Sequence, residues 1–385
     1  MHLGILTGGG DVPGLNPTIK AVVNEASARG WKVTGFRRGW AGPLNYNPDD
    51  PEGSQEWLMP LDPLVVRTID RMGGTVLRTS RTKPSKARPK DIPDFLKSKY
   101  TFAEGQATTD TTDHILRVLE SLKMDCLVAI GGDDTLSYAS RLHQEGAPTM
   151  CIPKTMDNDV FGTDYCLGFS TCITRSVEFL TLLRTPAGSH ERFLVVELFG
   201  RNSGESALIA GYLADADRTL IAEVPFDMER VAELMIKDRA RNPSNYAMVL
   251  VSEGAMMEGG RIIQSGEADA YGHQKLGGIG EMVGAQLKAI TGVDIMNQSL
   301  AYLVRAGAPD SIDLMVGRNF GTKTIQLIEE GRMGLMVAIQ DGKYVTQPAD
   351  ISTKGVRRVD IDAMYDVEQY RPRIKKISGM PMFLR

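Results

Sequence analysis

Short apolar runs alternate with longer stretches of helical periodicity along most of the 385-residue chain. Residues 3–6, 126–130, 149–152, 193–198 and 247–251 are apolar runs, interrupted only at Thr149 and Glu197, as in strands covered on both faces. Residues 17–28, 109–122, 171–183 and 206–214 read as the helices between them. This alternation predicts an α/β fold with parallel sheets, whose ligands bind at the carboxyl ends of the strands. Residues 40–64 and 79–108 are polar and rich in Pro, Lys and Asp, and are expected to be long surface loops. Residues 355–385, rich in Arg, Lys and Tyr, are expected to extend over the rest of the chain.

Composition adds two points. Glycine supplies 40 of the 385 residues, well above the usual 7% or so, and it clusters at the predicted strand ends: Gly8–Gly10, Gly73–Gly74, Gly131–Gly132 and Gly200. Lys and Arg number 44 against 48 Asp and Glu, a net charge of −4, which argues against a nucleic-acid partner. An anionic ligand must therefore be held by local arrangement. Cys126, Cys151, Cys166 and Cys172 show no CxxC spacing and the 5 histidines are scattered. That spacing does not suit structural zinc, and buried thiols of a reducing compartment are expected instead. No run approaches the roughly 18 apolar residues of a membrane span, so a soluble, cytoplasmic protein without a membrane partner is expected.

Three motifs follow strands. In Thr7-Gly8-Gly9-Gly10-Asp11-Val12-Pro13-Gly14-Leu15-Asn16, a strand meets a Gly-rich turn and then a helix; this suits either a phosphate cradle or a tight structural turn. In Gly131-Gly132-Asp133-Asp134-Thr135, two adjacent carboxylates need a cation or a basic partner if buried, which a magnesium–phosphate complex would supply. An exposed helix cap is the alternative. In Pro153-Lys154-Thr155-Met156-Asp157-Asn158-Asp159, an extended backbone would point Asp157 and Asp159 to one side, one to accept a proton and the other to shape the field. Lys154 adds a point charge for phosphate, and an Asx-rich surface turn is the competing reading. Arg81, Arg192, Arg201 and Arg305 lie beside glycines or strand ends, as a clamp for two phosphate groups would require, although each alone reads as a solvated charge. Glu253, at a strand end, could accept hydrogen bonds from sugar hydroxyls.

Taken in order, TGGGDVPGLN, GGTVLRTSRT, GGDDT, PKTMDND, SHERFLVVELFGRNSG, VSEG and LAYLVRAG closely resemble the 6-phosphofructokinase family, nearest to its pyrophosphate-dependent type. The resemblance implies two Rossmann-like parallel-sheet domains with the active site between them. Residues 1–168 and 304–354 would bind the phosphoryl donor, 169–303 the sugar phosphate, and 355–385 would pack on both. It implies Asp157 as catalytic base with Asp159 assisting, Asp133 at Mg²⁺, and Arg81 with Lys154 on the transferring and leaving groups. Gly9, Gly10, Asp134 and Thr135 would meet the donor. Thr155, Asp159, Phe199, Gly200, Arg201, Glu253, Tyr302 and Arg305 would meet the sugar phosphate, and Arg192 would reach across from a neighbouring subunit of a homodimer or homotetramer.

The implied reaction is reversible phosphorylation of fructose 6-phosphate by pyrophosphate. Asp134 and Lys154 are the pair that resembles pyrophosphate users, where ATP users usually carry glycine after GGD. Asp134 would repel an ATP α-phosphate, with Lys154 expected to neutralise it. An ATP-dependent enzyme and a non-catalytic regulatory subunit are the alternatives; a degenerate copy should lose the base, which is present. Met296 stands where the resemblance expects an arginine, Tyr302 where it expects histidine, Ala306-Gly307 replaces GG, and Arg78 replaces a glycine. These departures leave room for sedoheptulose 7-phosphate as a substrate.

Overall fold

In chain order, the first sheet begins with β1 (His2–Thr7), β2 (Lys32–Phe36), β3 (Leu58–Leu61), β4 (Cys126–Gly131) and β5 (Thr149–Pro153). The second sheet takes β6 (Phe193–Leu198), β7 (Arg218–Leu220) and β8 (Ala247–Ser252). A two-residue ladder of β9 (Gln264–Ser265) with β10 (Lys275–Leu276) precedes its last strand, β11 (Ile295–Ser299). The chain then returns to the first sheet with β12 (Leu335–Gln340) and β13 (Lys343–Pro348). These coordinates come from a computed structural model that describes residues 1–259, 264–265, 275–276 and 278–379.

The first sheet has seven strands in the order β13-β12-β5-β4-β1-β2-β3, parallel except at its two antiparallel edges. The second has four parallel strands in the order β11-β6-β8-β7. The apolar runs of β4, β5, β6 and β8 are buried along their whole lengths, as strands covered on both faces must be. On the first sheet, helix Leu15–Ala28 packs closely against helix Ser311–Glu329. Gly317 and Gly321 permit that approach: a Cβ at Gly321 would lie 2.6 Å from the Ala21 Cβ.

Helix Phe169–Ser189 carries the chain from one sheet to the other, and a buried carboxylate fastens its start. Asp313 accepts hydrogen bonds from Gly168 N (2.8 Å), Thr171 N (2.9 Å), Thr171 Oγ1 (2.5 Å) and Tyr165 OH (2.7 Å). Burial outweighs these bonds and pushes its pKa up to about 6.

Two expectations are corrected. Residues 40–64 are not all surface loop: they contain helix Ala41–Asn45 and β3, and Trp40, Leu44 and Tyr46 are buried. In 79–108, Ile92, Leu96 and Tyr100 are buried at four-residue intervals. The intervening Pro, Lys and Asp conceal these anchors, because short 3₁₀ turns (Pro84–Lys86, Pro89–Asp91 and Asp94–Leu96) replace a periodic helix. The carboxy-terminal segment is anchored as well. Tyr365 OH donates to Thr219 O (2.6 Å) and Thr219 N to Tyr370 O (2.7 Å), on the β7 edge of the second sheet. Residues 380–385 of the expected extension lie outside the described residues.

Replacing Asp313 by Ala strands two buried N–H groups and two hydroxyls at this junction. We expect at least about 3 kcal/mol of lost stability, read from urea unfolding; a midpoint equal to that of the wild type would show that the network is dispensable.

Candidate active site

A cleft of ≈ 890 Å³ opens where strand ends from both sheets face one another. Gly9 and Gly10 follow β1, Asp133, Asp134 and Thr135 follow β4, and Lys154, Thr155, Asp157 and Asp159 follow β5; all line it. Phe199 and Arg201 after β6, Glu253 after β8, and Tyr302 and Arg305 after β11 face them, with Arg81 beside the Gly-rich turn after β1. Gly200 is not on the wall but shapes it. At φ 140° it occupies a conformation that side chains rarely adopt, and its carbonyl accepts from Ser252 Oγ (2.6 Å) and Gly254 N (3.1 Å). Arg192 stands outside the cleft, at the opposite end of β6 from Phe199 and Arg201.

Only some of the glycines face the cleft. Thr135 wedges between Gly8 and Gly131, where an added Cβ would come within 2.4 Å of its side chain in either case. These two glycines therefore serve packing, while Gly9, Gly10 and Gly132 line the cavity. Gly73 meets the Gly307 carbonyl, 2.1 Å from where a Cβ would sit, so that pair is also a close backbone crossing.

Asp157 and Asp159 do share one side, but an extended strand is not the cause. Asn158 between them is left-handed, with φ 55°. Its side chain is pinned by donation to Asp164 O (3.0 Å) and Glu205 Oε1 (3.1 Å) and by acceptance from Cys166 N (2.8 Å). Asparagine tolerates this conformation better than most residues. From the carboxy-terminal segment, Arg357 donates its backbone N–H to Asp159 O (2.9 Å) and its guanidinium to Asn158 O (3.1 Å) and to the buried Glu205 carboxylate. The turn bearing both aspartates is thus held from beneath.

Charge is concentrated at the cleft. Burial, then the Asp159 and Asp134 charges, push Asp133 up to about 8. Burial, then Asp159 and Glu253, hold Asp157 well above the carboxylate range, and burial also raises Asp159. Burial raises Glu253 to about 7 despite nearby Arg201. Burial and the Arg305 and Arg81 charges lower Lys154 to about 8. Further polar contacts trim this field: Arg201 N approaches Asp157 Oδ2 at 3.5 Å, Asn202 Nδ2 donates to Asp159 Oδ2 (3.3 Å), and Thr155 Oγ1 accepts from Asp157 N (3.2 Å).

The expected neutralisation of Asp134 by Lys154 is corrected. Asp134 Oδ1 pairs with Lys83 Nζ at 2.9 Å, whereas Lys154 Nζ donates to the Gly10 carbonyl at 2.5 Å. Lys83 was overlooked because it sits in the stretch read as surface loop; its position two residues after Arg81 was the available signal. Arg305 also does more than expected. It stacks on Tyr302, 4.6 Å from the ring centroid, and reaches back to Asp11 at 3.0 Å. Tyr302 is 65% exposed, with Phe199 edge-on to it at 6.3 Å. Asn202, Asn297 and Gln298, which none of the motifs singles out, also line the wall, as do the carboxylates Glu197 and Glu281. Among the described residues, no group of three or more His, Cys, Asp or Glu side chains could hold a metal ion alone, and no helix is long and apolar enough to cross a membrane.

Comparison with known proteins decides the family. Residues 2–328 match the family described as Phosphofructokinase. The chain belongs to that family. This phosphofructokinase is similar to the pyrophosphate--fructose 6-phosphate 1-phosphotransferase of Streptomyces coelicolor, 38% identical over 370 residues, 95% of this chain and 98% of the relative. It is nearly as similar to the ATP-dependent 6-phosphofructokinase of Chloroflexus aggregans, 36% identical over 347 residues, 90% of this chain and 89% of the relative. The fold matches a pyrophosphate-dependent phosphofructokinase from Marinobacter aquaeolei with TM-score 0.74 at 18% identity, covering 100% of this chain and 98% of that one. The chain is therefore a phosphotransferase with the phosphofructokinase fold.

The raised carboxyls give the ligand-free phosphofructokinase a defined pH response. Each binds its proton more tightly in the folded site than in the unfolded chain, so the folded state holds more protons between about pH 4 and the highest of these values. Stability should then fall as pH rises from about 5 to about 7.5, with the Asp133 share of that cost incurred as it ionises near about 8. Thermal unfolding across that range checks the sign, and Asp133→Asn should flatten the slope. A rising midpoint would contradict the assignment.

Proposed function

We propose that the protein transfers a phosphoryl group reversibly from inorganic pyrophosphate to the 1-hydroxyl of fructose 6-phosphate. The observation that carries this reading is Asp134, a carboxylate facing the donor end of the cleft and fixed there by Lys83. A donor that continues past its second phosphate would bring further negative charge against that carboxylate; pyrophosphate ends before it. On this reading the first sheet serves the donor and the second the sugar phosphate.

The hydroxyl oxygen attacks one phosphorus of pyrophosphate, the bridging P–O bond breaks, and orthophosphate leaves. Asp157, when ionised, takes the hydroxyl proton, and its raised affinity for protons makes it a stronger base than an exposed aspartate. Arg81 and Lys154 offset charge on the transferring and leaving groups, while Arg201, Glu253, Tyr302 and Arg305 orient the sugar phosphate. The donor side suits Mg²⁺: Asp133 Oδ1 is buried without a hydrogen-bond partner, and a second carboxylate lies beside it. Asp133 would hold the ion together with donor oxygens, as Mg²⁺ is usually bound. When bound, the ion would neutralise charge developing on the phosphoryl oxygens. Arg192, outside its own chain's cleft, would serve the site of a second copy in a homo-oligomer.

An ATP-dependent reaction is the second reading, favoured by relatives of that name at nearly equal identity. Initial rates with pyrophosphate and with ATP, each against fructose 6-phosphate and sedoheptulose 7-phosphate, separate the two and test how selective the open end at Tyr302 is. We expect pyrophosphate to support turnover and Asp134→Gly to shift the donor ratio toward ATP. Robust ATP turnover with negligible pyrophosphate turnover would sink the proposal. For the base, Asp157→Asn should lower kcat by about 10²- to 10⁴-fold with KM values little changed; a fall confined to KM would assign Asp157 to binding alone.

A further inference from the structure

A second cavity, of ≈ 300 Å³, lies at the end of β2 and shares no residue with the catalytic cleft. Arg37, Arg38 and Arg78 line it, together with Gln55, Glu56 and Leu58. Three arginines and one glutamate thus border one opening. No ion pair joins any of these arginines to a carboxylate among the described residues. Arg37 Nε donates to the Leu58 carbonyl at 3.4 Å, and Arg38 lies 5.0 Å above the Trp57 ring. Arginines left unpaired in a concavity are available for a planar, bidentate grip on a phosphate or similar oxyanion.

The backbone supplies an independent observation. Arg38 and Arg78 are both left-handed, at φ 61° and 60°. For such residues this conformation costs about 1–2 kcal/mol each, and strain of this kind gathers at ligand clamps and switch regions. The two strained positions are bonded into one unit: Arg38 N donates to Leu77 O (2.8 Å), Arg78 N to Thr75 O (3.0 Å), and Thr7 Oγ1 to Arg78 O (3.0 Å). Thr7 ends β1, immediately before the Gly-rich turn of the cleft. Downstream, Thr79 Oγ1 donates to Gly9 O (2.6 Å) and Ser80 O accepts from Gly9 N (3.0 Å), and the next residue is Arg81. A shift at Arg78 therefore reaches both Gly9 and Arg81 along three residues of continuous, hydrogen-bonded chain.

We infer that Arg37, Arg38 and Arg78 form a second anion site, for a small phosphate monoester, whose occupancy is transmitted through residues 78–81 to the donor side of the cleft. The binding half is independent of the proposed reaction; the transmitted half rests on it.

The test is phenylglyoxal labelling of arginines, resolved by peptide mass spectrometry, with phenyl phosphate as the probe. At ten times its half-protecting concentration a single site is about nine-tenths occupied, so labelling of Arg37, Arg38 and Arg78 should fall about tenfold. Arg81 and Arg201, read in the same digest, report any occupation of the catalytic cleft separately. In Arg78→Gln, protection of Arg37 and Arg38 should require at least about tenfold more probe, as loss of one charge-assisted contact implies. Labelling of the three arginines that ignores the probe, or protection unchanged in Arg78→Gln, overturns the site. The rate should respond to phenyl phosphate in the wild type and lose that response in Arg78→Gln; a rate that never responds overturns the transmission. Should the donor prove to be ATP, the labelling result stands unaltered and the rate is read with ATP.

Discussion

Four carboxylates facing one cleft set the central constraint on this molecule. Asp133, Asp157, Asp159 and Glu253 repel one another, and burial raises the cost of each charge. No local stretch of chain would gather them unaided. The fold does so by delivering them from the ends of three different strands, β4, β5 and β8, each embedded in a buried parallel sheet. Hydrophobic burial of the sheets thus offsets the electrostatic cost at their edge. Arg81 and Lys154 on one wall and Arg201 and Arg305 on the other then supply the opposite charge.

Second-layer contacts follow from that constraint. The left-handed Asn158 is held by its own carboxamide, by Glu205 and by Arg357, so that two repelling aspartates keep one orientation. Arg357 lies beyond residue 328, where the family match ends, so part of the support for the Asp157–Asp159 turn comes from outside the matched region. Asp313 plays a comparable role at the junction of the sheets, with its carboxylate fully engaged by four donors. Both devices use buried charge whose value depends on complete hydrogen bonding.

Much of the site was legible because its chemistry is written in contiguous motifs. GGDDT and PKTMDND each follow an apolar run, and a parallel sheet necessarily brings such strand ends to one edge. What eluded the sequence was of two kinds. Lys83, Asp11 and Asn202 meet their partners only through the tertiary fold, at sequence separations no periodicity reports. Trp40, Ile92, Leu96 and Tyr100 are isolated anchors within polar stretches, where Pro and Asp suggested solvent and burial came from the neighbouring helices. Three of the four glycine clusters stand at strand ends as expected, whereas Gly73–Gly74 follows the 3₁₀ turn Ile69–Arg71 instead of a strand. Their purpose was only half readable: Gly8 and Gly131 make room for Thr135, whereas Gly9 and Gly10 line the cleft.

The sequence by itself determined the α/β class, the family, and most of the carboxylates and cations that meet in the cleft, because apolar runs and short motifs encode strands and the turns that follow them; Arg192 lies outside it, and Glu197 and Glu281 line it without a motif to announce them. Only the tertiary structure decided which cation meets which anion. Asp134 went to Lys83, Lys154 to a backbone carbonyl, and Arg305 to Asp11 and the Tyr302 ring. The physical reason is range. Side-chain pairing acts over a few ångströms, and those distances exist only once both sheets have brought distant segments of chain together.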